Sequence, residues 1–536
     1  MRVKRPTKPG QRAGQLPCRN ARVARLSLGL LANLSPGLQA APAPDLTELL
    51  RQMQALKSDY ETRISRLEQQ KQQDTQRIEQ LERALGRTTA RQTDKAYPTP
   101  ATPGRLTHDS GPPPQVTLKN LPMPEATRAP EDLPVESLES SSLNLKGAGA
   151  TLIDEPNGSV PFALRTKVSL EGRYSYFGRT VASWTPNNNP GEPINDYSII
   201  ELNRASVGFV GYALQPELVY NLMLMASTSA GSVVPLGYLG YDFRPEIKGR
   251  VGVWKAPGTR EWTESWTSTL GADRTMATTY FRPNWTPGAW LEGRLAPSFD
   301  YQLFVGNSFG GSAGNYEANR EGTGMLYGYS GRWEPLGAMG GGISDLEPHA
   351  QPVFRLGTTG VYQDARNSAP NGQAGNPDST IFRLSNGTPL SLQGALGPNA
   401  QINSASVYLA TLDTAFKYDG FALFAEFMYR HLDGFGYSGS APEVTALNDY
   451  GGIVQGSYFL LPQTLEMFGR SSLVSGHYGT PWEAGGGFNW YPMTLPNWIL
   501  TSEALYIQRS PAENLLTPYR AGESGVVGQV EMKFFF

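Results

Sequence analysis

Between Ala256 and Pro287, just after Lys255, the chain gathers side chains of two kinds. Arg260, Glu261, Glu264, Asp273 and Arg274 bring both signs of charge, and Trp262 and Trp266 bring indoles; Arg282 and Trp285 follow. Guanidinium and carboxylate groups on one loop can form the charged rim of a passage for small polar solutes, with the indoles anchoring the loop. The alternative is a surface loop packed at an interface between subunits. Other chemistry is poorly supplied. The four histidines are His108, His349, His431 and His477. A hydrolytic site needs a histidine held beside a hydroxyl nucleophile or an orienting carboxylate. His431 near Asp433 is the nearest approach, and an enzyme built on it would lose hydrolysis in His431→Ala. No metal-ligand spacing is present, nor a phosphate-cradling Gly-Lys-Ser/Thr run. The reading is therefore no enzyme, no cofactor and no metal.

The elements that must position this loop are strands. The chain ends in VVGQVEMKFFF, where Val526, Val530, Met532, Phe534 and Phe536 share one face. Val527, Gln529, Glu531, Lys533 and Phe535 share the other. A side-chain period of two makes this a strand with one greasy and one mostly polar face. With its aromatic end, it resembles the closing strand of an outer-membrane barrel, with Phe534 and Phe536 as the closure signal. Alternating segments precede it near 167–177, 199–212, 217–227, 236–243, 247–255, 288–295, 299–307 and 325–334. They continue near 352–360, 404–418, 421–430, 450–461, 464–471, 482–491 and 497–509. With the last strand at 523–536 these make about sixteen, an even number fitting a transmembrane barrel of the larger kind.

The connections alternate in length. Short turns carry signals such as Leu214-Gln215-Pro216, Arg244-Pro245, Ala296-Pro297-Ser298, Asp419-Gly420 and Leu461-Pro462-Gln463. Long loops at 178–198, 228–235, 256–287, 308–324, 361–403, 431–449, 472–481 and 510–522 lie between them. That sorting predicts an up-and-down antiparallel barrel with short turns at one end and long loops at the other. The 335–351 connection breaks the rule: it is long and Gly-rich where a short turn is due, so either the register slips or the turn is elaborated.

Strand parity then aims Arg173, Arg204, Lys248, Arg250, Arg294, Arg332, Arg355, Arg470 and Arg509 inward, with Glu171, Glu292, Glu426, Glu466, Glu503 and Glu531. A charge facing hydrocarbon costs about 2–4 kcal/mol at mid-membrane. These residues are thus expected to line a wet lumen, either as functional groups or as salt-bridged wall residues.

Composition agrees. The chain has 536 residues, a formal net charge of −2 and 18% charged residues, which gives no basis for nucleic-acid binding. Mean hydropathy is −0.37, and no apolar run is long enough for a membrane helix. Strands of alternating polarity leave that kind of record. The lone Cys18 excludes a disulfide framework. Before the strands, residues 1–40 read as a signal segment, with a basic stretch, the apolar run Leu26–Leu34 and a cleavage site after Ala40. Residues 41–86 read as an α-helical coiled coil, with Leu46, Leu49, Met53, Leu56 and Tyr60 at 3,4 spacing. Ile64, Leu67, Ile78, Leu81 and Leu85 continue the stripe after a stutter. Residues 87–165 read as a Pro/Ser-rich linker and 166–536 as an outer-membrane β-barrel.

The segments LNRASVGFVGYALQPELVYNL and LGYLGYDFRPEIKGRVGVWKAPGTRE, with MATTYFRPN after them, resemble the phosphate-selective porin O and P family. The resemblance implies a trimeric, sixteen-stranded porin of the bacterial outer membrane, with its amino-terminal segment in the periplasm. It implies passive diffusion of small hydrophilic solutes or ions, anions such as phosphate among them, through a bore narrowed by the third loop. Phosphate selectivity does not carry over, because Arg and Glu are mixed on this wall. The alternative function is an envelope tether: the barrel anchors in outer-membrane lipid and the coiled coil reaches toward peptidoglycan.

Overall fold

The computed structural model describes residues 150–158, 160–228, 231–309, 324–365, 381–495 and 497–536. The signal segment, the coiled coil and most of the linker read from the sequence lie outside these residues.

Sixteen strands form the wall: β1 Phe162–Arg179, β2 Tyr197–Ala213, β3 Gln215–Ser227, β4 Ser232–Arg244, β5 Ile247–Lys255, β6 Trp285–Ala296, β7 Phe299–Gly306 and β8 Leu326–Trp333. The second half is β9 Val353–Ala365, β10 Ala400–Tyr418, β11 Phe421–Gly439, β12 Leu447–Leu461, β13 Leu465–Ser475, β14 Trp482–Trp490, β15 Trp498–Gln508 and β16 Gly525–Phe535. Each pairs antiparallel with its neighbours in the chain. The last pairs with the first, matching Glu531 with Arg173 and Phe535 with Ser169. The ring is closed, so none of these sixteen strands stands at a sheet edge.

Alternation along each strand sets the two faces. On β16, Val526 and Met532 are 45% and 49% exposed, while Val527 and Glu531 are 0% exposed. A slip of one residue would turn the charges outward. The outer surface carries Leu291, Leu303, Leu412, Leu423 and Val454, all exposed. Exposed aromatic residues collect near the strand ends. Tyr174, Tyr176, Tyr327, Tyr408, Tyr450 and Trp482 lie toward the long-loop end. Trp333, Tyr418, Phe421, Tyr458, Phe488, Trp490, Phe534 and Phe536 lie toward the short-turn end. Two aromatic girdles around an apolar band are what a barrel needs to sit across a bilayer. Leu412→Arg, within the apolar band, is therefore expected to cost about 2–4 kcal/mol of stability in lipid vesicles. A urea titration of the folded barrel reads this directly.

At the short-turn end the backbone bears out the turn signals. Asp419 and Gly420 have φ of +48° and +78°, the pair of left-handed residues a tight two-residue hairpin requires. The long connection after β8 is an elaborated turn, not a register slip, because β8 and β9 pair directly from Leu326↔Gln363 to Trp333↔Leu356. It folds back on the barrel mouth. Lys417 Nζ donates to the carbonyls of Met339 (3.0 Å) and Gly341 (3.3 Å). Asp345 accepts from the Gly420 amide at 2.8 Å and holds His349 at 2.5 Å. Met339 and Ile343 are buried. One strand lay inside the stretch read as linker: Ala150–Glu155 pairs with the start of β1. Its six residues are all exposed, so it has no buried face to show in the sequence.

Candidate functional site

The loop between β5 and β6 folds inside the ring. Three short helical pieces shape it: α1 Arg260–Thr263, a 3₁₀ turn Trp266–Ser268, and α2 Met276–Phe281. Each opens on a hydroxyl cap, with Thr259, Ser265 and Thr275 accepting backbone N–H groups of Trp262, Thr267 and Thr278. Lys255, Arg260, Glu261, Trp262, Glu264, Trp266, Asp273 and Arg274 are all buried. The sequence had assigned anchoring to the indoles and the rim to the charges; in the structure both are packed away from solvent.

The wall divides into two sectors. From β3 to β7 its inward side chains include Met223, Met225, Val234, Leu236, Trp254, Trp290 and Phe304, all buried. The loop's indoles belong to the same core cluster: Trp285 meets Trp254 edge-on at 5.6 Å and Trp262 at 5.8 Å. Three cations lie over the Trp262 ring: Arg282 at 4.1 Å, Arg274 at 4.9 Å and Lys255 at 5.1 Å. Such cation–π contacts strengthen when shielded from water.

From β8 through β16 to β2 inward charges stand among buried apolar residues such as Val407, Phe424 and Ile453, and these charges hold the loop. A helix start leaves backbone N–H groups without partners and carries partial positive charge. Glu426 accepts from the Arg260 amide at the head of α1 (2.7 Å). Glu483 accepts from the Met276 amide at the head of α2 (2.8 Å). Glu503 accepts from the Ala272 amide at 3.2 Å. Lys533 donates to Thr269 Oγ1 at 2.8 Å. Asp273 lies among the arginines: Arg204 Nη1 is 2.9 Å and Arg173 Nη2 3.1 Å from its carboxylate. Arg470 donates to its backbone carbonyl. On the other side Arg260 reaches Asp413 at 3.2 Å, and Arg355 pairs with Glu264 at 3.4 Å and Asp413 at 3.5 Å.

No protein-family model matches this chain, and no curated protein sequence does. Similar solved structures include an anion-selective porin from Comamonas acidovorans, at 10% identity and TM-score 0.42, covering 70% of this chain and 100% of that one. The outer membrane channel DcaP of Acinetobacter baumannii follows at 11% identity and TM-score 0.41, covering 70% and 97%. OprB of Pseudomonas putida stands at 10% and 0.38, covering 70% and 94%. Similarity at this level carries no argument about what this barrel does, and the likeness to phosphate-selective porins stays a resemblance of short segments.

Of the residues read as pore-lining, Arg173, Arg204, Arg250, Arg332, Arg470, Glu292, Glu426 and Glu466 are buried. Lys248 and Arg294, toward the short-turn mouth, are part-exposed. Arg509 is aligned with the inward residues but sits exposed past the end of β15, at φ +53°. Where the charges suggested a wet wall, a shielded network stands toward the short-turn end. Arg250 is matched by Asp242 at 2.6 Å and Glu292 at 3.6 Å, and Arg332 by Asp300 at 2.6 Å. Arg294 pairs with the same Asp300 at 2.9 Å, and Glu466 accepts from Asn489 at 2.9 Å. His431 contacts Asn448 (2.8 Å) and Asp433 (3.3 Å) at the long-loop end. The sequence reading did not pick out Asp273's partners as a group, nor Asp413 and Glu483. Strand parity alone places Asp413 and Glu483 inward.

Burial disfavours the charge on Asp273, but Arg204, Arg173 and Arg274 outweigh it and hold the carboxyl well below the usual range. A depressed pKa contributes stability above the ordinary carboxylate pKa, lost only as pH falls through the depressed value. The loop should therefore keep this anchor at pH 4. An Asp273→Asn barrel is expected to show the same change in tryptophan emission between pH 7 and pH 4 as the native protein, and a change seen only in the native protein would contradict it.

Proposed function

We propose that this protein is an outer-membrane channel for passive diffusion of small hydrophilic solutes, with its bore set by the 256–284 loop. The observation that supports it most is a closed sixteen-strand ring, greasy outside, whose charged inner sector is spent on holding one inward-folded loop. A wall built only to anchor a tether has no need of such a loop. Arg260, Glu261, Glu264, Asp273 and Arg274 would set the field where the bore is narrowest, and Lys248 and Arg294 would meet solute at the short-turn mouth. The inward arginines have carboxylate or carbonyl partners, which favours weak ion selectivity over a one-sided anion path. Assembly as a homotrimer, and contact of the amino-terminal segment with peptidoglycan, belong to this proposal through the family resemblance and the coiled-coil reading. Purified, folded protein in planar bilayers is expected to give discrete conductance steps, with a reversal potential near zero in asymmetric KCl. A bilayer that stays sealed would sink the channel reading.

A further inference from the structure

A cavity of about 550 Å³ opens at the long-loop end, between β1, β2 and the last long loop. Trp184, Tyr197, Glu201, Glu513, Arg520 and Glu523 are among its lining residues. We propose that it is a binding site for a small organic solute carrying an ammonium or guanidinium group.

Charge points that way. The cavity presents four carboxylates, Glu192, Glu201, Glu513 and Glu523, against Arg173 and Arg520. Both arginines are already engaged. Arg173 is held by Glu531 at 2.5 Å and Asp273 at 3.1 Å. Arg520 Nη1 donates to the carbonyls of Asn514 and Tyr519 at 2.9 and 3.3 Å. Glu523 supplies the independent observation: it is only 7% exposed, and its Oε2 has no hydrogen-bond partner. A buried carboxylate oxygen without a donor is costly, and a cationic N–H donor from a solute would satisfy it. Glu513 already holds a guanidinium, that of Arg383. Trp184 and Tyr197 add aromatic surface suited to a cation. The Trp184 ring is fixed: Nε1 donates to the Asn386 carbonyl at 2.9 Å. The ring also lies so close to Gly522, at φ +77°, that a Cβ there would come within 1.9 Å of it. The volume lies within the usual range for small-molecule sites, about 300–1,000 Å³.

Burial pushes the Glu523 carboxyl up to about 7, with Arg520 opposing and Glu513 adding to the rise. Tyr197 and Glu201 from β2, Glu192 from the first long loop and Arg173 from β1 share the cavity. The ionised form, dominant above that pH, is the one that holds a cation.

Isothermal titration calorimetry on the full-length protein folded in detergent tests this without requiring conduction, so a barrel that fails to conduct leaves it standing. Agmatine is expected to bind and glutarate, an anion of similar length, is not. Agmatine affinity should be about tenfold weaker at pH 6 than at pH 8, following the ionised fraction of Glu523. Glu523→Gln should weaken it about tenfold or more at pH 8 and flatten the pH profile, with folding checked by heat-modifiable gel migration. If that variant fails to fold, Glu201→Gln is read instead, again expected to weaken binding. Absence of agmatine binding, equal binding of glutarate, or affinity unchanged in the folded variant overturns the proposal.

Discussion

Asp273→Ala is expected to loosen the inward loop and turn the passage toward anions. The carboxylate is buried between Arg173 and Arg204, at 3.1 and 2.9 Å. Removing one partner from a buried pair leaves uncompensated charge and costs about 3–5 kcal/mol. Part of that is offset here, because Arg173 keeps Glu531 at 2.5 Å and Arg204 keeps Glu171 at 2.9 Å. The folded barrel should therefore survive with a lower urea midpoint, and its reversal potential in asymmetric KCl should move toward the chloride value. Asp273→Asn keeps the shape and removes the charge. It should reproduce the shift in potential with a smaller loss of stability, which separates the electrostatic effect from the packing one.

Trp262→Ala is the second large effect. The indole is fully buried, edge-on to Trp285 and under Arg282, Arg274 and Lys255. Truncating a buried tryptophan costs about 3–5 kcal/mol, and three stacked cations lose their aromatic face at once. The wall strands do not depend on this ring for their hydrogen bonds, so the loss should fall on the loop's seat. In the native protein Arg260 and Arg274 are buried and should resist trypsin. In Trp262→Ala the loop should be cut at these sites while the barrel stays folded. Resistance equal to wild type would show that the apolar sector is not what holds the loop.

Much of the wall was legible in the sequence because a strand's faces repeat every second residue. VVGQVEMKFFF gave its inward Glu531 and Lys533 by counting alone, and Asp419-Gly420 marked its hairpin by the conformations those residues favour. Strand ends were less legible: β11 runs on to Gly439, past 430, where the alternation blurs into polar loop residues. What the inward charges face could not be read. Parity aims Glu426 at the interior but cannot say that a helix start waits there, since α1 spans only Arg260–Thr263 and shows no periodicity. The apolar sector was missed for a related reason. Met223 and Met225 point inward, against the rule that greasy residues face lipid, and only the folded loop explains them. The 335–351 turn was flagged by its length and its glycines; its reach into the barrel mouth rests on Lys417 and Asp345, contacts with no local signature.

Single-channel conductance of two proteins tests the central claim, that the loop sets the bore. One is the native chain; in the other, residues 258–282 are replaced by a short Gly/Ser turn. The wall's ladder is complete without those residues, so both should migrate as folded barrels. The native protein is expected to show small discrete steps, and the trimmed one steps several-fold larger. Equal conductance in two folded barrels would contradict the account.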